Sequence, residues 1–204
     1  MKPCPVRSSS RKSATGFTLP ETLVATAIGV IITGFVSMLL LDSSMEARLG
    51  LGMATVEGQA YILQGTLTKN LHSMSANEGI NPDNSAPYYA ANGSLIGYTA
   101  IYAFLNNTNG TTTTEHIIYD PVHGTVTCVT NTAMPANVVT WFTNSSTCSI
   151  SNLWFSASQN PDGSENASLV NVVLEMNDNG YAEQNPTNNC ASIYRSFAVQ
   201  LRGD

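Results

Sequence analysis

The chain has 204 residues, enough for one modest domain and one long helix. Fourteen acidic and eight basic residues leave a formal net charge of −6, which argues against nucleic acid as a default ligand, because phosphate binding needs a basic stripe. Only 11% of residues are charged, and Asn, Thr and Ser dominate the second half, a composition that suits an exported β-rich domain better than a cytosolic enzyme.

The first sixteen residues carry Lys2, Arg7, Arg11 and Lys12 and no acid. Phe17 to Leu41 then forms an apolar run in which Glu21 is the only charge. At about 1.5 Å per residue such a helix is long enough to cross a hydrocarbon core of about 30 Å. An ordinary secretory signal has its apolar region upstream of the cut. Here the run lies downstream of the Gly16-Phe17 junction, so cleavage there would retain it. Removal of residues 1–16 would take four of the eight basic side chains and none of the acids, leaving a net charge of −10. Glu21 is expensive in an apolar phase unless paired, and the nearest cation available is an N-terminal amine, its own or a neighbour's.

Beyond Leu41 the helical period persists. Met45, Leu49, Val56, Ala60, Leu63, Leu67, Leu71 and Met74 recur at steps of three, four or seven and predict one apolar face, with Arg48, Glu57, Gln64 and Lys69 away from it. Gly50, Gly52, Gly58 and Gly65 weaken this half of the helix by up to about 1 kcal/mol each. Close packing of a neighbouring element is the expected reason, with local melting inside an assembly as the alternative. His72 suits the C-terminal end of the helix dipole.

Residues 76–93 are rich in Asn, Pro, Gly and Ser and predict a loop. Seven strands follow by composition and alternation: 94–105, 112–119, 125–130, 138–142, 153–158, 169–176 and 194–201. Asn160-Pro161-Asp162-Gly163 predicts a turn and Asn179-Gly180 a hairpin. The expected fold class is α+β, a long N-terminal helix packed on a C-terminal antiparallel sheet.

Cys128, Cys148 and Cys190 follow the basic leader, which holds Cys4. Three pairings are open; Cys128 with Cys148 is favoured because they are closest in sequence, and closing that loop would stabilise the fold by roughly 3 kcal/mol. Glu115, His116, Asp120 and His123 could meet at an ion if the Asp120-Pro121 turn folded the chain back, but a strand ending with two exposed imidazoles is the simpler reading. Asn177-Asp178-Asn179-Gly180 with Glu183 has the oxygen ligands of a calcium loop without EF-hand spacing. No nucleophile elbow and no phosphate loop is present, so neither enzyme activity nor a cofactor or metal is expected.

The leader and junction, with Gly16, Phe17, Thr18, Leu19 and Glu21 ahead of the apolar helix, resemble those of the type IV prepilins, which include pilins, minor pilins and type II secretion pseudopilins. Pro20 departs from that pattern, where an aliphatic residue is usual; a proline in a first helical turn is tolerated. The resemblance implies cleavage after Gly16 by a prepilin peptidase, N-methylation of Phe17, and a role for Glu21 in neutralising a neighbouring subunit's amine during assembly. It also implies a pilin-like fold, divided as leader 1–16, membrane and filament-core helix 17–41, amphipathic continuation 42–75 and β-rich exported domain 76–204. The implied partners are other pilin or pseudopilin subunits, the peptidase, an inner-membrane assembly platform and the membrane itself. The closing segment Tyr194-Arg195-Ser196-Phe197-Ala198-Val199-Gln200-Leu201-Arg202 is similar to the end of PilW-like minor pilins, which favours a minor pilin over a J-type secretion pseudopilin, with a pilus-tip adhesin or DNA-binding module as a further alternative.

Overall fold

The computed structural model describes residues 17–76, 80–106, 110–131, 137–159, 165–179 and 192–202. One helix, α1, runs Leu19–His72. Among the described residues ten strands follow: β1 Ile80–Pro82, β2 Pro87–Tyr89, β3 Leu95–Tyr98, β4 Ala100–Asn106, β5 Thr112–Asp120, β6 Thr125–Asn131, β7 Asn137–Thr143, β8 Cys148–Gln159, β9 Glu165–Asp178 and β10 Ser192–Gln200. The chain is α+β and divides into two units, one ending at Glu46 and the other beginning at Ala47.

In the first unit every described residue is exposed, the large apolar side chains included. Several of its hydroxyls bond back to carbonyls of the helix itself. Thr22, Thr26, Thr33 and Ser44 donate to the carbonyls of Leu19, Leu23, Gly29 and Leu41 at 2.7–2.9 Å. Pro20 breaks no bond, since the ladder begins with Thr22 N–H donating to Thr18 C=O.

In the second unit α1 buries Val56, Ala60, Leu63, Leu67 and Leu71, steps of four, three, four and four. The stripe starts later than the period predicts, for Met45 is 60% exposed and Leu49 only half-buried. Gln64 also departs from expectation: it is half-buried and its Oε1 has no partner among the described residues. The helix closes at His72 with Ser73 and Met74 N–H groups donating to the carbonyls three residues back, and His72 Nδ1 lies 2.8 Å from Gln200 C=O. Beyond it Met74, Ser75 and Ala76 are stitched to Arg202 and Phe104 by backbone hydrogen bonds.

Two antiparallel five-stranded sheets replace the single expected sheet, in the orders β1-β4-β5-β6-β7 and β10-β9-β8-β3-β2. The predicted strand 94–105 is two strands in different sheets. It breaks at Thr99, whose N–H donates to Ala86 and whose carbonyl accepts from Tyr119. Ala100 and Ile101 are buried consecutively there, a phase slip that moves the chain from one layer to the other. The predicted loop 76–93 contains β1 and β2. Both carry a proline and both lie at a sheet edge, where a missing N–H costs no ladder bond.

The helix stripe shares one apolar core with both sheets, including Ile101, Ile117, Val126, Leu153 and Phe155. β9 supplies Val170, Val172, Leu174 and Met176 to it at strict alternation. The same phase points Asp178, 3% exposed, inward, and Gly52 on α1 makes room for it: a Cβ there would overlap the Asp178 carboxylate. No such neighbour lies within 4 Å of a Cβ at Gly50, Gly58 or Gly65, so close packing accounts for one of the four helix glycines.

Candidate functional site

The prepilin-like junction begins at Gly16, which lies outside the described residues. Phe17 is exposed and precedes the helix. Thr18 is the cap: the Glu21 carboxylate, at the third helical position, reaches back to accept from the Thr18 N–H at 3.2 Å and the Thr18 hydroxyl at 3.1 Å through the same Oε2. This is the carboxylate half of a capping box, and the helix dipole favours the negative charge there. The Thr-x-x-Glu spacing of Thr18 and Glu21 is the sequence signal of this cap. Among the described residues Oε1 of Glu21 has no protein partner, so one face of the carboxylate stays open to a cation. The helix carrying it is long and apolar enough to cross a membrane, by length and composition, and none of its most apolar window is buried.

The other predicted constellations are dispersed. On β5, His116 and Glu115 point to opposite faces. His116 stacks on Tyr102, centroids 4.0 Å apart, and its Nε2 lies 3.1 Å from Asp83 Oδ2. Asp83 also accepts from the Ser85 hydroxyl and N–H, and these bonds, with His116, hold its carboxyl below the usual range. His123 instead pairs with Asp120 at 2.5 Å across the β5–β6 turn, where Asp120 accepts from the Val122 and His123 N–H groups; its pKa is lowered, by His123 first. Gly124 closes that turn at φ +60°. Among the described residues no three His, Cys, Asp or Glu side chains are grouped to hold a metal.

The Asn177–Gly180 segment is not a two-residue hairpin. Asn177 pairs with Ser192, so β9 and β10 are joined through residues 179–191. Asn179 instead ties down the β7–β8 turn, donating to Ser145 C=O at 3.0 Å and accepting from Ser149 at 2.7 Å. Gly180 and Glu183 lie outside the described residues, as do residues 160–163, where the sequence predicts a turn.

Cys128 and Cys148 do not form the expected disulfide; both are free and buried. They belong to different sheets, β6 and β8. The Cys128 thiol donates to Glu115 Oε2 at 3.4 Å, and burial together with that carboxylate pushes its pKa to about 12. Burial and Asp178 raise Cys148 to about 11. Cys190 lies outside the described residues. Comparison with family models, with curated proteins and with solved structures finds no match for this chain.

Proposed function

We propose that the chain is a prepilin-like subunit, a minor pilin with a structural role in assembling or priming a type IV pilus. The reading is supported most by one observation. A single continuous helix is wholly exposed to Glu46, apolar to Leu41 save for one carboxylate at its third position, and then buries a stripe in an antiparallel β domain. In this reading the leader is removed after Gly16, Phe17 is N-methylated, and the subunit waits in the inner membrane as a single-pass protein before entering the filament. Its partners are other pilin subunits, the prepilin peptidase and the assembly platform.

Glu21 then has two tasks. Its Oε2 fastens the helix start through Thr18, and its open side faces the amine of a docking neighbour. Lipid leaves an unpaired carboxylate costly, so pairing with that amine favours the assembled state over the isolated subunit. The β domain faces outward and selects neighbours by shape. The test is intact mass and N-terminal sequencing of protein recovered separately from membranes and from sheared surface filaments. A chain starting at N-methylated Phe17 in filaments is the expected result. A chain still starting at Met1, confined to membranes in cells that process other prepilins, would sink the proposal.

A further inference from the structure

The outward face of the second sheet carries an aromatic and polar array that the core does not use. β9 turns Leu174 and Met176 inward, so Glu175 between them faces out. Asn152 on β8 and Tyr194 on β10 stand directly opposite it and share that face. Tyr88 donates its hydroxyl to Asn152 Oδ1 at 2.7 Å, and Asn152 Nδ2 donates to Glu175 Oε2 at 2.5 Å. Trp154, two residues along β8, lies nearly parallel to Tyr88, with centroids 6.3 Å apart and planes at 17°. Gly97 sits beneath the indole; a Cβ there would come within 2.6 Å of the Trp154 ring.

The neighbouring cation does not serve this face. Arg195 points the other way, over the Tyr61 ring at 5.0 Å and to Glu57 at 3.2 Å. Glu175 is therefore a half-buried carboxylate clamped by an amide, with no cation among the described residues, flanked by Tyr194, 66% exposed, and by the Tyr88–Trp154 pair. Cross-strand support of the sheet explains the hydrogen bonds but not an acceptor left open between aromatic rings.

We propose that this face binds a neutral oligosaccharide, with the aromatic rings receiving the C–H faces of the sugar rings and Glu175 and Asn152 taking their hydroxyls. Rings with a few fixed polar groups are the usual make-up of a small-ligand site. The array runs from β10 across the sheet to β2, four interstrand spacings or about 19 Å, the reach of a short oligomer. A carboxylate on a chain of net charge −6 disfavours phosphate or sulfate groups. β8 and β9 are interior strands, so their backbone edges are closed to an added peptide strand. The inference does not rest on the filament reading.

The test uses the full chain in a phosphocholine detergent, which has no sugar head group, with Trp141→Phe leaving Trp154 as the one tryptophan. Cellohexaose and chitohexaose are the probes. A saturable change in Trp154 emission with at least one of them is expected, with a Kd of about 1 mM or tighter. By calorimetry in the parent chain, Glu175→Gln and Tyr194→Ala should each weaken binding several-fold. Tyr194 is exposed and outside the core, so its variant separates lost binding from lost folding. No saturable response to either sugar, undiminished binding by both variants, or tighter binding of heparin than of both neutral oligomers would each overturn the proposal.

Discussion

Cys128 and Cys148 show how strongly surroundings govern a side chain here. Their pKa values near 12 and 11 come first from burial and then from the carboxylates of Glu115 and Asp178. At pH 8 each should therefore react with a thiol reagent roughly two to three orders of magnitude more slowly than an ordinary cysteine of pKa about 8.5. The measurement is labelling of a Cys4→Ser, Cys190→Ser variant, native and then in denaturant. Two thiols appearing only on unfolding is the expected outcome; an intact mass short of two hydrogens would mean a bond between them. Asp83 titrates in the opposite sense. Its folded pKa is depressed, so the unfolded state binds its proton first, and its contribution to stability is present above about pH 4 and lost as pH falls through the lower folded value. Urea melts of Asp83→Asn against the parent should differ at pH 6, with the variant less stable, and converge as pH falls through the lowered folded value.

At the level of elements, periodicity carried much of the reading and failed where the chain changes layer. The stripe Val56 to Leu71 and strands β5, β6 and β9 were legible because each keeps one period against one core, and β7 by its β-branched and aromatic composition. The second sheet was not, because its boundary is a phase slip at Thr99 rather than a turn, and a predicted strand of twelve residues hides it. β1 and β2 were hidden by their prolines, and the long β9–β10 connection by the hairpin signal at Asn179. The candidate site was legible at Glu21 from a lone charge in an apolar run, while Thr18's cap needed the spacing rule as well. The helix glycines give a test in which neighbouring positions have opposite signs. Gly58→Ala meets nothing within 4 Å and should stabilise the chain by up to about 1 kcal/mol. Gly52→Ala places a methyl group in the Asp178 carboxylate and should destabilise it by about 1–3 kcal/mol. Thermal melts of the two variants in one detergent decide it, and equal shifts would contradict the Gly52–Asp178 packing.

For the whole molecule, stability should reside in the second unit alone. No side chain from 17 to 48 is buried, and the shared core begins at Val56. A chain beginning at Ala47 loses only exposed side chains, so its melting temperature should match the full chain's to within about 3 °C, less than the shift expected from roughly 1 kcal/mol. A chain beginning at Gln64 is a different matter. It lacks Val56, Ala60 and Leu63 and so uncovers part of the core that they share with the sheets. Burial of the Val and Leu side chains alone is worth about 3–6 kcal/mol, against a whole-domain stability of about 5–15 kcal/mol. With the uncovered core added, that fragment should not fold cooperatively. Circular dichroism melts of the two fragments separate the possibilities. Cooperative folding from Gln64 would remove the helix stripe from the core, and a failed fold from Ala47 would place part of the stability in the apolar segment.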